Sequence, residues 1–263
     1  MTIKFTNCRD LFLLACVAVL TLGCRNKSES KSQTIEARQP APAYFHVDPS
    51  LAGSIKGAVH YKGLRTPARV IDMSSDPACV EAHQGKAHDE SLVVSPTGSL
   101  ANAFVYIERG LEGKVFEASA TPVVIDQKGC WFSPRVLGIQ TGQPLQVVNS
   151  DPVTHNIHPM AQVNREWNHS QGPGDPPIIR RFTKPEVMVP VKCNIHIWMH
   201  GFIGVMDHPY FAVSNSDGMF EIKNLPAGTY TLAVWQEKLG VQGQQVTINP
   251  RSETIADFTL RSK

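Results

Sequence analysis

The sequence predicts an all-β protein made of β-sandwiches, and three observations support this fold class. From Leu51 onward, apolar residues never recur at the three-to-four-residue spacing of an amphipathic helix over a useful length. Short runs rich in β-branched and aromatic residues occur instead. Clusters of Gly, Pro, Asn and Asp separate these runs, as expected for strands joined by turns.

Length and composition set the scale of the protein. Its 263 residues suffice for one large or two modest domains, and a hydrophobic content of 42% provides enough apolar material for a core. The formal net charge is +2, which is too close to zero to indicate nucleic acid or an anionic membrane surface as a partner. We therefore expect no nucleic-acid binding.

The first element is a short apolar segment near the N-terminus. Lys4 and Arg9 precede the run LFLLACVAVLTLG, which has the length of a secretory signal and is too short to span a bilayer. The run ends at Gly23 and Cys24, which resembles the cleavage and lipidation site of a bacterial lipoprotein. The resemblance implies that residues 1–23 are a signal peptide, that Cys24 carries lipid, and that the protein is anchored to a membrane in the periplasm or cell envelope. The alternative is a plain secretory signal with cleavage nearby.

The next element, residues 24–50, is predicted to be a flexible tether. It is polar and contains few apolar side chains, so burial would not offset the entropy lost on ordering it. Such a tether would hold the folded part of the chain away from the membrane.

The cysteines carry information because the chain is expected to be exported to an oxidising compartment. Of the six, two lie in the predicted signal peptide and Cys24 is the predicted anchor, which leaves Cys79, Cys130 and Cys193. If Cys193 binds a metal, Cys79 and Cys130 remain and can form one disulfide. The alternative is that all three are free buried thiols.

Ten short segments carry the predicted strands. They are residues 54–61, 102–108, 122–126, 144–149, 187–192, 202–206, 219–223, 229–235, 244–248 and 255–260. Two segments lack this pattern. Residues 74–91 are predicted to form a loop with at most a helical turn, and residues 164–181, rich in Pro and Gly, a long excursion between strands.

The stretch VKCNIHIWMHG, residues 191–201, contains four potential metal ligands, of which His200 is predicted to be a surface histidine and the other three to be ligands. Cys193, His196 and Met199 offer a thiolate, an imidazole and a thioether, a soft to intermediate set that selects copper, especially Cu(I), over magnesium or calcium. A blue-copper site needs a second His, which must come from another strand. A structural zinc site fits less well, since Met is a poor zinc ligand and no second Cys follows at C-x2-C spacing.

The second His is predicted in the stretch NSDPVTHNIHPM, residues 149–160. His155 follows a strand-like run and precedes Asn156, whereas His158 lies three residues later. Odd spacing on a strand directs two side chains to opposite faces, so only one of the two histidines can point inward. We predict His155 as the ligand, with His158 as the alternative.

Together these residues resemble a known family. The His155–Asn156 pair and the later C-x2-H-x2-M loop are similar to those of the type 1 copper proteins, the cupredoxins, of amicyanin- or plastocyanin-like type. The resemblance covers roughly residues 118 to 208. It implies a Greek-key β-sandwich that binds one copper ion through four ligands: His155, Cys193, His196 and Met199.

The same resemblance implies roles for neighbouring residues. Asn156 and Asn194 would hydrogen-bond around the ligands, and His196 would expose a ring edge through which electrons pass. Trp198 and His200 would lie near a docking surface for redox partner proteins.

The residues beside Cys193 predict the class of copper protein. Copper oxidases and nitrite reductases connect their type 1 site to a second copper through a His next to this Cys, and Lys192 and Asn194 stand there instead. We therefore predict a non-enzymatic electron carrier. The alternatives are a copper storage or delivery protein and a structural or interaction module with a vestigial site.

The stretch DGMFEIKNLPAGTYTLAVW, residues 217–235, indicates a second sandwich. It resembles the carboxypeptidase regulatory-like, transthyretin-like or immunoglobulin-like β-sandwich. The opening strands of that family match residues 53–59 and 103–107, upstream of the copper segment.

This order of motifs predicts an insertion. The cupredoxin, residues 118–206, would be inserted in a sandwich built from residues 51–117 and 207–263. The alternative is two consecutive domains. The two arrangements differ in one feature: the insertion requires Val59 and Val105 to share a core with Phe220 and Leu232. In the insertion, a Cys79–Cys130 disulfide would join the two domains.

Overall fold

The computed structural model describes residues 43–83 and 86–262, which are nearly all β. The elements are β1 (Gly53–Lys62), β2 (Val70–Ile71), α1 (Pro77–Ala82), β3 (Ala87–His88), β4 (Phe104–Arg109), β5 (Val123–Lys128), β6 (Trp131–Ser133), β7 (Val136–Gln140), β8 (Leu145–Asn149), β9 (His155–Pro159), β10 (His169–Gln171), β11 (Ile178–Arg180), β12 (Glu186–Lys192), β13 (His200–Met206), β14 (Phe211–Val213), β15 (Met219–Leu225), β16 (Gly228–Gln236), β17 (Gly240–Ile248), β18 (Glu253–Ile255) and β19 (Phe258–Arg261). The predicted signal peptide, the lipidation at Cys24 and most of the tether lie outside the described residues. Within them, no helix has the length and apolar character needed to cross a membrane.

One pair of sheets, which we call the flanking sandwich, is built from both ends of the described chain. Its first sheet has the order β15-β1-β18, with β19 also paired to β1, and its second has the order β14-β4-β16-β17. Buried and partly exposed residues alternate along β1. Every second residue from Gly53 to Tyr61 is buried, so one face of this strand points into the core.

The core of the flanking sandwich contains side chains from distant parts of the sequence. Val59 and Val105 belong to the same buried cluster as Phe220 and Leu232. The insertion arrangement requires this shared core. Residues 42–263 form one compact unit, so the division into two domains with bounds at 118 and 206 stays a prediction.

The second pair of sheets, the central sandwich, lies between these segments in the sequence. Its sheets have the orders β10-β9-β12-β13-β7 and β11-β8-β5-β6. Pairing is parallel between β13 and β7 and between β5 and β8, so the connections cross from one sheet to the other rather than forming simple hairpins. Its core joins apolar side chains of both sheets, and Cys193 and Met199 belong to it.

A short covering segment, residues 72–83, packs against the central sandwich. Asp76 caps α1 by accepting a hydrogen bond at Oδ1 from the N–H of Ala78, and Pro77 occupies the first turn, where its missing N–H costs nothing. Cys79 of α1 forms a disulfide with Cys130 in the turn between β5 and β6. Residues 74–91 were predicted to be a loop with at most a helical turn; the structure contains α1 there, and it also contains β3, which pairs with β2.

The structure differs from the predicted strands in two ways: one predicted run is split, and eight of the strands given above lie outside the ten predicted segments, namely β2, β3, β6, β7, β9, β10, β11 and β14. The excursion 164–181 contains β10 and β11, which pair with β9 and β8. The run 255–260 is two strands, since the chain leaves the ladder between β18 and β19. Strand β7 was missed because its Gly138 interrupts the apolar pattern; that Gly lets the ring of Phe211 pack against the backbone.

Candidate metal centre

The loop between β12 and β13 presents Cys193, His196 and Met199. The two strands are antiparallel and Lys192 pairs with His200, so residues 193–199 must turn back within a short distance. The Cys193 N–H donates to the Met199 carbonyl at 3.1 Å, and the Met199 N–H donates to the His196 carbonyl at 2.9 Å. The loop is therefore closed by its own backbone, which fixes the three side chains relative to one another.

Strand β9 brings His155 to this loop. It pairs with β12, where Lys192 lies opposite His158, and His155 lies at the buried start of the strand. Ligand atoms of His155, Cys193 and His196 all lie within 4.8 Å of one another, and all three residues are buried. The Nδ1 atoms of the two histidines face each other at 2.9 Å.

The Cys193 sulfur lies in an environment that favours the thiolate. It accepts N–H hydrogen bonds from His196 at 3.3 Å and from Asn156 at 3.4 Å. Burial alone would raise the pKa of the thiol, but His155 and these backbone donors lower it below its ordinary value. Within the described part of the chain, Cys193 is the cysteine that is not in a disulfide.

The outer nitrogen of His155 is held by a buried carboxylate. His155 Nε2 lies 2.7 Å from Asp151 Oδ2, and a carboxylate only accepts, so Nε2 carries the proton and donates. Burial opposes a charge on the ring, but Asp151 and Cys193 outweigh it and raise the pKa of His155 to about 9. The raised pKa favours the protonated form of this ring in the absence of a metal ion.

The outer nitrogen of His196 is held in the same way by the covering segment. His196 Nε2 lies 3.0 Å from Asp76 Oδ2, and this hydrogen bond holds the pKa of Asp76 below its ordinary value. His196 is only 3% exposed. The expectation that His196 exposes a ring edge is therefore wrong, because Asp76 covers the edge that would face solvent.

The remaining predicted ligand, Met199, and the predicted supporting residues Asn156 and Asn194 lie close to this cluster. Met199 is fully buried in the same core as Cys193. The side chain of Asn156 joins the two ligand segments, because its Oδ1 accepts the N–H of Asn194 at 3.0 Å. The two asparagines thus connect the His155 strand to the Cys193 loop, the kind of contact that stiffens a metal site from outside.

Three other predicted residues lie around the cluster rather than in it. His158 points away from Cys193 towards Glu166 and Asn194 and lies outside the cluster. The Trp198 ring packs 5.2 Å from the His196 ring, centroid to centroid. Trp198 and the exposed His200 line an open cleft of about 560 Å³. Partial loss of hydration in this cleft and the positive charge of the nearby Arg135 lower the pKa of His200 below its ordinary value.

Sequence reasoning missed the two carboxylates at the site. Asp76 precedes Pro77, a signal for a helix N-cap, but nothing in that signal indicates which other atom the carboxylate meets. Asp151 lies in an Asn-Ser-Asp-Pro turn and reads as an ordinary turn residue. The contact of Asp76 with His196 joins residues far apart in sequence, which local patterns do not encode.

Comparison with known sequences gives one partial match. Residues 205–256, in the later part of the flanking sandwich, match the family model described as polysaccharide lyase family 4, domain II. A search of curated proteins finds no match. The resemblance to the carboxypeptidase regulatory-like family stays a prediction.

Comparison with solved structures gives partial similarities to copper proteins. The copper-containing nitrite reductase of Thermus scotoductus is 26% identical over 38% of this chain and 25% of that chain, with a TM-score of 0.31. A variant of amicyanin in its reduced state is 23% identical over 34% of this chain and 86% of that chain, with a TM-score of 0.29. A purple cupredoxin of Nitrosopumilus maritimus is 20% identical over 32% and 98%, with a TM-score of 0.27. The chain thus spans a quarter of the nitrite reductase it matches.

Proposed function

We propose that this protein is an exported, membrane-tethered carrier of electrons that binds one copper ion in a type 1 site. The observation that carries the proposal is the buried cluster of His155, Cys193 and His196, with Met199 in the same loop. Two imidazoles, a thiolate and a thioether are the donor set of blue-copper sites.

The two facing histidines supply a physical reason for a cation at this point. Each Nε2 donates to a carboxylate, so each Nδ1 presents a lone pair towards the other ring at 2.9 Å. Two lone pairs at that distance repel unless a proton or a metal ion lies between them. In the metal-free protein a proton between the two rings would fill this role, and a copper ion would replace it.

The residues of this chain would act as ligands and as supports. Copper would supply the one-electron change between Cu(II) and Cu(I). Cys193, already biased towards the thiolate, needs little energy to lose its proton on binding, and the buried Met199 offers a soft ligand. The closed loop and the Asn156–Asn194 contact would limit ligand movement when the charge changes.

The surface around the loop supports a partner that docks by apolar contact. Ile195 is 51% exposed and Ile197 is 76% exposed, on either side of His196. Together with Trp198 they form an apolar patch beside the cleft. Lys192 and Asn194 are not the bridging histidines of copper oxidases, which favours a carrier over a catalyst. The partners would be redox proteins of the cell envelope.

An optical spectrum and a reduction potential of the copper-loaded full chain test the proposal. We expect one equivalent of copper, an intense visible charge-transfer band from the Cys193 thiolate, and a reversible one-electron wave. Cys193→Ser should abolish the band, whereas His158→Gln, at the rejected position, should retain it. A protein that stays colourless after loading would refute the proposal.

The coverage of His196 favours a second candidate, a protein that stores or delivers copper without exchanging electrons. A buried imidazole edge slows electron transfer to a partner while leaving the ligands intact. This function predicts copper binding of the same stoichiometry without a reversible wave, so voltammetry distinguishes the two candidates.

A further inference from the structure

Asp76 occupies an unusual position for a helix cap. Its Oδ1 accepts the backbone N–H of Ala78 at 3.0 Å, as a cap does, while its Oδ2 accepts the ring Nε2–H of His196 at 3.0 Å. One carboxylate therefore ends the helix of the covering segment and also fixes the outer nitrogen of a predicted ligand. The second contact is not needed for capping, because a single side-chain oxygen satisfies the cap.

Asp151 is held more firmly at the other histidine. It accepts the N–H of Gly129 at 2.6 Å, the N–H of Cys130 at 2.7 Å and the Nε2–H of His155 at 2.7 Å. The side chain is 8% exposed. Three donors hold this carboxylate in place, whereas Asp76 is only half-buried and belongs to a short peripheral helix.

The Cys79–Cys130 disulfide connects the segments that carry the two carboxylates. Cys79 lies three residues after Asp76 in α1, and the N–H of Cys130 is one of the donors to Asp151. A continuous chain of contacts thus runs from His196 through Asp76 and the disulfide to Asp151 and His155. The histidine rings are held from outside by a single bridged structure.

We propose that Asp76 and Asp151 are positioning residues that fix both imidazoles with Nδ1 towards the metal, and that the Cys79–Cys130 disulfide keeps Asp76 in place. The inference rests on the proposed function, since it concerns the same copper site. A carboxylate that accepts Nε2–H fixes the tautomer in which Nδ1 is the free ligand atom, and it makes that nitrogen more basic. The fixed tautomer favours metal binding in either oxidation state, and the greater basicity favours Cu(II), which prefers harder ligands, over Cu(I).

Asp76→Asn separates the two roles of Asp76. The Asn oxygen can still cap α1, but its NH₂ group then faces the Nε2–H of His196, so two donors meet. Asp72→Asn is the matched control, because Asp72 is an exposed carboxylate of the same segment that accepts only the N–H of Ser74. Asp151→Asn tests the other histidine.

The measurements are Cu(II) affinity by competition with a chelator, the reduction potential, and the EPR spectrum of each full-length variant. We expect Asp76→Asn and Asp151→Asn to lose about 10–100-fold in Cu(II) affinity, with Asp72→Asn unchanged within about twofold. The potential of both site variants should rise. Thermal unfolding of the metal-free variants monitors folding, and if Asp151→Asn does not fold, Asp76→Asn decides alone.

The role of the disulfide is tested by the double variant Cys79→Ser/Cys130→Ser. Its copper affinity should fall as in Asp76→Asn, and adding Asp76→Asn to it should cause little further loss. In the metal-free protein, His196 should become reactive towards diethyl pyrocarbonate in the double variant and stay protected in the wild type.

The outcomes separate the two proposals. If the wild type binds no copper, the proposed function fails. If the wild type binds copper and Asp76→Asn has wild-type affinity, potential and EPR spectrum, the copper function stands and the positioning role of Asp76 is overturned. If only the disulfide variant behaves as wild type, Asp76 holds its position without the bridge, and that part of the inference is overturned.

Discussion

The flanking and central sandwiches have the same two-sheet architecture but differ in the polarity of the side chains they bury. Both pack two sheets face to face, but the flanking sandwich buries few polar side chains, of which His208 is one, whereas the central sandwich buries a larger set. These polar residues include Gln127, Asp151, His155, Gln171 and His196. A buried polar group is costly unless it is paired, so a set this large indicates a region shaped by more than stability.

The difference shows where each sandwich is sensitive. The flanking sandwich should be destabilised by substitutions that shorten an apolar core side chain, since its stability comes from the burial of apolar surface. The central sandwich should be destabilised by substitutions that remove a hydrogen-bond partner, since each buried polar group left unpaired costs its desolvation energy.

The largest expected effect is Leu232→Ala in the flanking core. Leu232 is fully buried, and its truncation removes transfer energy and leaves a cavity, at a cost of about 2–5 kcal/mol in the free energy of unfolding. Urea denaturation measures this cost. Thr231→Ala, at the half-buried neighbour, is the control and should change the value by less than about 0.5 kcal/mol. Equal effects of the two variants would contradict an apolar origin of the stability.

The next effect is Gln171→Leu in the central core. Gln127 Nε2 donates to Gln171 Oε1 at 2.9 Å in a buried site. Replacing Gln171 alone weakens the pairing of Gln127 and should cost about 1–3 kcal/mol. The double variant Gln127→Leu/Gln171→Leu should recover much of this loss in the same urea experiment. If the double variant is the sum of the singles, the polar pair is not the cause.

A smaller effect is expected where the two sandwiches meet. Arg135, just before β7, donates to Glu237, just after β16, at 2.7 Å, and both side chains are largely buried. Glu237→Gln keeps an acceptor for Arg135 but removes the charge, so we expect a loss of about 1 kcal/mol. A double-mutant cycle with Arg135→Gln measures the coupling, and a coupling of zero would show that the sandwiches do not stabilise each other through this pair.

The smallest effect is the pH dependence contributed by His208 in the flanking sandwich. The buried ring donates to the Ile107 carbonyl and accepts the N–H of Tyr210, and burial lowers its pKa below the ordinary value. The folded state therefore binds this proton less readily than the unfolded state. Its contribution to stability is present above the unfolded pKa, near 6.5, and is lost as the pH falls below that value.

His208→Gln tests this dependence. Wild type should lose stability between about pH 7 and about pH 5, and the variant should lose less over the same interval. The urea midpoint at each pH is the measurement, and His46→Gln, at an exposed position, should follow wild type. A variant with the full wild-type slope would assign the dependence to other groups.

The sequence predicted strands β15 and β16 of the flanking sandwich well because their signals are local. Phe220, Ile222, Tyr230 and Leu232 alternate along their strands and are all buried, so period-two patterning is enough to place them. The tight turn at Gly218 has a positive φ of 74°, the conformation that an Asp-Gly turn predicts.

The candidate metal centre was predictable only in part, because some of its contacts join residues that are close in sequence and others join residues that are far apart. Cys193, His196 and Met199 fall in one loop, and His155 follows from the need for a second imidazole. The contacts of Asp76 and Asp151 depend on how the covering segment folds back, and neither residue differs by type from many exposed aspartates. The buried edge of His196 was missed for the same reason, since the residue that covers it lies 120 positions away.

The pairing of β1 with β15 has a consequence for how the chain folds. Gly57 of β1 lies opposite Phe220 of β15, so β1 is synthesised roughly 160 residues before the strand with which it pairs. The central sandwich, whose strands are consecutive, can complete its own contacts during that interval. Closing the flanking sandwich then requires joining ends that the central one has already brought together, which shortens the effective loop and lowers its entropy cost. The central sandwich would thus act as the nucleus on which the outer strands assemble.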